Sequence, residues 1–227
     1  MNGCLVAVGI LVGLIALGVG YVLVEWRSID VRYRLTIEVE DGNQLRVTSN
    51  VIDVSFAMGS DALNPPIQES YVPVYGYAPT VDLGEKGLLF LSFLNPHRTV
   101  AQVKERNNVW ACGFSDIACL PAAVYRTPII NRPFSERKRT LKQLLQQSGP
   151  RDVPFSVLPG LVRFTDVDGV HKLVPVSPDD LAASFGPGVR LKRVILELTN
   201  DPITPMPPTW PQWLKESGKR YVGILEG

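Results

Sequence analysis

VRYRLTIEVEDGNQLRVTSNVIDVSF, residues 31–56, is the stretch that decides the fold class. From Val31 to Glu40 apolar and polar residues alternate strictly. Tyr33, Leu35, Ile37 and Val39 fall on one face, and Arg32, Arg34, Thr36 and Glu38 on the other. A period of two is the mark of a half-buried strand. Asp41-Gly42 then offers a turn that tolerates positive φ. Leu45 to Phe56 returns as a second strand, so a hairpin is expected. Its apolar phase slips, however. Leu45 and Val47 occupy odd positions, whereas Ile52, Val54 and Phe56 occupy even ones, which predicts a bulge near Ser49-Asn50.

Downstream, the same reading yields further short strands. Tyr71 to Leu83 is aromatic and β-branched, but Pro73 and Pro79 restrict it to an edge. Leu88 to Leu94 reads as a short buried strand after the Gly84-Glu85-Lys86-Gly87 turn. Val162 to Thr165 and Val170 to Val174 flank Asp166-Val167-Asp168-Gly169 as a second hairpin, and Arg190 to Thr199 is a further strand. Ser135 to Ser148 predicts an amphipathic helix capped by Ser135, with Arg137, Lys138, Arg139 and Lys142 on its solvated face. Ser177 to Gly188 predicts a short helix, with Ser177 as N-cap and Pro178 in the first turn. The expected fold class is mainly β (α+β): one mostly antiparallel sheet domain with two or three short helices, preceded by a transmembrane helix.

That helix is expected from CLVAVGILVGLIALGVGYVLV, Cys4 to Val24, which holds no charged residue. At about 1.5 Å per residue it reaches roughly 30 Å, the thickness of a bilayer's hydrocarbon core. The start lacks a basic segment and no small-x-small site follows, so the anchor reads as uncleaved, not as a signal peptide. The domain organisation is then an anchor over residues 1–26, a β-rich domain over 27–199 and a Pro/Trp-rich tail over 200–227, which Trp210, Trp213 and Leu214 could pin back. The lipid bilayer is the expected partner of residues 4–24. Gly9, Gly13, Ala16 and Gly20 form small-residue pairs near one stripe, a candidate face for helix self-association. Arg27, Arg32 and Arg34 follow the helix and, taken alone, put the domain in the cytoplasm. Cys112 and Cys119 form a candidate disulfide, which argues for an oxidising compartment; two free buried thiols are the alternative.

The composition narrows function mainly by exclusion. The 227 residues carry a formal net charge of +1, so nothing suggests a nucleic-acid partner. His97 and His171 are the two histidines. The six-residue step between Cys112 and Cys119 is wrong for an ordinary structural zinc site. Gly113-Phe114-Ser115-Asp116-Ile117 lacks the last glycine of a nucleophile elbow. Asp166-Val167-Asp168-Gly169 begins like a calcium loop, but Val170 stands at its fifth position and no glutamate at its twelfth. No catalytic, cofactor-binding or metal-binding residue is assigned, and no cofactor is expected. The weak enzymatic alternative would be Cys112, His97 and Asp116 brought together.

Four segments, YRLTIEVEDG (33–42), NVIDVSF (50–56), TVDLGEKGLLFLSF (80–93) and SPDDLAASFGPGVRLKRVILELTNDPIT (177–204), resemble a group of uncharacterised bacterial membrane-anchored proteins. The resemblance implies an architecture and an inner-membrane setting, with the domain outside the cytoplasm. It implies no site residue. This chain departs from the group by lacking a basic N-terminus. The expected function is a membrane-anchored, non-catalytic binding or envelope-associated module. The alternative is a subunit of a membrane complex, with a protein partner or self-association.

Overall fold

The computed structural model describes residues 2–25, 27–59, 72–94, 116–130, 133–217 and 224–225; in the first helix, side chains are described for residues 10–21. The described residues form two antiparallel sheets with a few short helices. The strands are β1 (Ile29–Asp41), β2 (Gln44–Phe56), β3 (Val74–Tyr75), β4 (Thr80–Asp82), β5 (Leu88–Leu91), β6 (Arg151–Asp152), β7 (Leu161–Val167), β8 (Val170–Val176) and β9 (Val189–Leu198). One sheet has the order β3-β2-β1-β9-β6 and the other β4-β5-β7-β8. The expectation of one sheet is thereby corrected. After Pro79 a new ladder starts at β4, which the Gly84–Lys86 turn of 3₁₀ helix joins to β5.

β1 is the middle strand of the five. Val31, Tyr33, Leu35, Ile37 and Val39, all on one face, have no solvent exposure at all. They pair across the sheet with the inward residues of β2 and β9. Burying one large apolar side chain contributes about 1.5–3 kcal/mol, so this row alone is a major part of the core. The bulge expected at Ser49-Asn50 is absent. All thirteen β1–β2 pairs, from Ile29↔Phe56 to Asp41↔Gln44, run without a break. The register shift lies on the other side of β1, where Glu38 faces Arg193 and Val39 faces Leu191, leaving Lys192 as the extra residue of β9. The phase slip in β2 has another cause: Leu45 and Val47 are on the outer face, 48% and 56% exposed.

In the second sheet, β7 and β8 close through Asp168-Gly169, at φ 55° and 74°. Two successive positive φ values are what a type I′ hairpin turn requires, and Asp166 Oδ1 accepts from the Gly169 N–H at 2.8 Å. The Asp166–Gly169 run is therefore the hairpin turn expected from the sequence.

The helices besides α1 (Asn2–Glu25) are α2 (Leu120–Val124), α3 (Phe134–Leu145), α4 (Ala182–Phe185) and α5 (Gln212–Glu216). α3 starts after Pro133, not with a Ser135 cap. Its Arg137 is not on a solvated face either. It is 2% exposed, donates to the Ala57 carbonyl at 2.8 Å and lies 4.8 Å from the Phe134 ring centre. α4 begins later than the sequence suggests. Asp180 Oδ1, not Ser177, accepts from the Ala183 N–H at 3.0 Å, and Gly186 ends the helix at φ 91°.

The Pro-rich segment is part of the same core. Trp210 is 4% exposed and Leu214 3%. The Trp210 indole N–H donates to Thr80 Oγ1 at 2.8 Å, and its ring meets Tyr77 and Phe90 edge-on. Trp213 stacks on His171, with ring centres 3.7 Å apart.

α1 is helical over 24 residues, and its described side chains are all exposed. Among the described residues no helix is long and apolar enough to cross a membrane, so the expected anchor over residues 4–24 draws no support from them.

Tyr33 ties this core to the loop above it. Its hydroxyl donates to the Ile117 carbonyl at 2.7 Å. Burial, helped by the negative charge of Asp53, holds that hydroxyl protonated far above its ordinary range. Tyr33→Phe would remove this bond and leave the Ile117 carbonyl with the Leu120 N–H as its remaining donor, and we expect a loss of about 0.5–1.5 kcal/mol. Urea unfolding of the full chain in detergent, followed by tryptophan fluorescence, measures it; an unchanged midpoint would refute the assignment.

Candidate functional site

The outer face of the five-stranded sheet is charged and internally paired. Arg32 holds Asp53 through Nη2 at 2.7 Å and Nε at 3.1 Å, Arg34 pairs with Asp201, and Arg190 pairs with Glu40. The β9 bulge turns two successive cations, Lys192 and Arg193, to the same side. Both reach Glu38, at 3.2 and 2.8 Å. Among the described residues these pairs take up most of the charge of the face, Glu197 beside Arg34 standing outside them.

Of the residues of the enzymatic alternative, Asp116 is the one among the described residues. Cys119 is 7% exposed and disulfide-bonded, so it carries no free thiol. Asp116 is buried at the start of the Ile117–Cys119 turn of 3₁₀ helix. Cys112 and His97 lie outside the described residues, as does the Gly113–Ser115 part of the elbow-like run. Among the described residues no group of three metal-ligating side chains converges. His171 is taken up by its stack on Trp213. The small-residue stripe is on α1. Gly13 and Gly20 have nothing within 4 Å of where a Cβ would stand, and the Gly9 side lies outside the described side chains.

One feature of the backbone remains open. In an antiparallel pair, successive residues point their N–H and C=O alternately toward one neighbour and away from it. The Gly42-Asn43 turn makes Asp41↔Gln44 the closing pair, so odd-numbered residues of β2 point away from β1. The partners on that far side agree. Ser55 N–H donates to the Pro73 carbonyl at 2.9 Å. Val51 N–H donates to Thr204 Oγ1 at 2.8 Å, and its carbonyl accepts from the Thr204 N–H at 3.2 Å. At Ser49, Val47 and Leu45 the ladder stops: among the described residues none makes a backbone bond on that side.

The chain itself explains why. After Thr204 come Pro205, Pro207 and Pro208, which have no N–H to donate. The segment therefore leaves the β2 edge and crosses to β4, where Trp210 bonds Thr80. β4 is itself the edge strand of the second sheet. Between the two edges lies a groove of about 420 Å³, lined by Arg46, Val47, Ser49, Thr80, Asp82 and Met206 among others. Other concavities exist, including one of about 520 Å³ beside Tyr125, Arg126 and Arg151; the edge strand that borders it, β6, has two residues, too few to present a row of outward backbone groups. Sequence reading missed the β2 edge, although its signal was present. Leu45 and Val47 out of phase are apolar residues on a solvent face.

No protein-family model matches the chain, and neither a curated protein nor a solved structure matches it. The resemblance carried by residues 33–42, 50–56, 80–93 and 177–204 thus gains nothing from these comparisons.

The charge cluster makes a separate prediction. The Arg193 hydrogen bond is the largest influence on Glu38; with Lys192 it outweighs burial and lowers the carboxyl's pKa below its ordinary 4.5. A lowered folded-state value means the unfolded chain takes up the proton first. The stabilisation is therefore complete above the ordinary value and lost as pH falls through the lowered one. Glu38→Gln should reduce stability at neutral pH and flatten the acid limb. Urea midpoints compared from about pH 3 to about pH 7 test this. An acid limb as steep in the variant as in the wild type would place the titration elsewhere.

Proposed function

We propose that this chain is a membrane-tethered, non-catalytic binding module that holds a partner protein in the groove between β2 and β4. The observation that carries the reading is the open β2 edge, with exposed Leu45 and Val47 beside it and no convergent reactive groups among the described residues. Unblunted strand edges are unusual on soluble domains because they invite pairing. This one is bordered by a formed groove, which suits a partner.

The tether in this proposal is α1. The sequence from Cys4 to Val24 carries no charge. Residues 10–21 are exposed on every side of the helix and make no apolar stripe for the domain to cover, with Ile10 at 60%, Leu14 at 61% and Leu17 at 72%. A helix apolar all round suits lipid, not a water-facing surface. A soluble partner helix would show a polar face.

The domain, in this reading, faces an oxidising compartment. Cys119 is disulfide-bonded, and the chain has only Cys4 and Cys112 as other cysteines. We assign Cys112 as its partner, since Cys4 begins the apolar helix. Disulfides persist in the periplasm and are rare in the cytosol. Of the three arginines that favour the opposite side, Arg32 and Arg34 have a structural task in their pairs with Asp53 and Asp201. Their presence is explained without reference to topology.

Affinity purification of the full chain from native membranes should recover a second protein at near-equal ratio, lost in Val47→Arg and kept in Lys192→Ala. Recovery of the chain alone, or a partner indifferent to Val47→Arg, would defeat the binding reading. Protease added to spheroplasts should remove the domain while α1 stays membrane-bound. Protection of the domain until lysis would put it in the cytoplasm.

A further inference from the structure

We infer that the partner binds as an additional β-strand on β2, one extended segment bonded to the N–H and C=O groups of Leu45, Val47 and Ser49. The inference rests on the groove being the binding site and specifies how that site works. Three odd-numbered residues pointing outward offer three donors and three acceptors at the spacing of a strand ladder. Only another extended backbone matches that array. The edge also continues an interface that the molecule already uses. β3 pairs at Asp53 and Val54, Thr204 pairs at Val51, and the next rungs on the same line are Ser49, Val47 and Leu45.

The edge also sets the partner's side-chain pattern. Residues opposite Leu45, Val47 and Ser49 lie on the outer face, where Leu45 and Val47 are exposed and apolar side chains are favoured. The alternate residues turn to the face of Arg46 and Thr48, where the groove lining also includes Thr80 and Asp82, and polar side chains fit. The occupant is thus an extended segment of another protein, apolar at every second position. A second copy of this chain is disfavoured. It would bring its own Pro205–Pro208 segment and β4, which wall its own groove, into the space that a single strand occupies. Such strand addition draws affinity from main-chain bonds and selectivity from alternate side chains.

The probe is a synthetic nonapeptide of alternating Val and Thr with Lys at both ends, together with a twin N-methylated at every second residue on its bonding edge. Both are titrated into the full-length chain in nanodiscs, with amide hydrogen exchange read residue by residue. The parent peptide should slow exchange at Leu45, Val47 and Ser49 at least tenfold. The methylated twin should bind at least tenfold more weakly, and Val47→Pro should abolish the difference. Equal binding of the twins, protection elsewhere only, or no binding of either peptide would overturn strand addition. So would protection of these amides in the free chain that rises with its concentration, which would mean a second copy occupies the edge. If Val47→Arg still releases the native partner while the twins bind equally, the groove stands as the binding site and only its strand-addition mode is lost.

Discussion

Strand β1 is bonded on both sides along most of its length, and its inward row from Val31 to Val39 is sealed from solvent. Everything else takes its position from that strand. β2 is held to it by a tight two-residue turn without a register break. β9 is held to it across most of the chain's length, from residues about 150 positions away or more. A one-residue slip in either pairing would turn the whole inward row to water. The pairing is therefore the constraint on which the groove, the charged face and the seating of the Pro-rich segment all depend.

The β9 bulge shows how that constraint shapes chemistry. An unbulged strand would send Lys192 to the core face and Arg193 outward. The extra residue lets both point outward to Glu38, which is 7% exposed. Two cations on one nearly buried carboxylate fix the register of β9 on β1 as well as neutralising the charge. The same sheet leaves its other side unfinished. Prolines carry the chain off the β2 edge after one rung at Val51, so the structure creates an open edge with the residues that also build the far wall of the groove.

Legibility followed the range of the interaction. Strict alternation made β1 readable, because one strand half-buried by its neighbours needs only a period of two. The β7–β8 hairpin was readable from Asp168-Gly169, whose φ values demand that kind of turn. Caps were less readable. Ser135 and Ser177 have the right chemistry, but Pro133 and Asp180 lie where the helices begin. Arg137 looked like a solvated cation and is buried, because the Ala57 carbonyl and the Phe134 ring come from other parts of the fold or the turn beside it. The phase slip in β2 was visible, yet a bulge and an exposed apolar pair produce the same pattern in one strand. Only the register on β1 separates them.

The sequence by itself determined the antiparallel β character, the uncharged N-terminal run, the hairpin turns and the lack of a recognisable reactive motif. Each is set by neighbours within a few residues, through alternation, turn geometry and hydropathy. Tertiary structure decided that there are two sheets, that Lys192 is the bulged residue, that Trp210 belongs to the core and that Leu45, Val47 and Ser49 lack a second strand. Those outcomes depend on which distant segments compete for the same edge. In this protein Thr204 takes one rung, and the prolines after it cannot take the next.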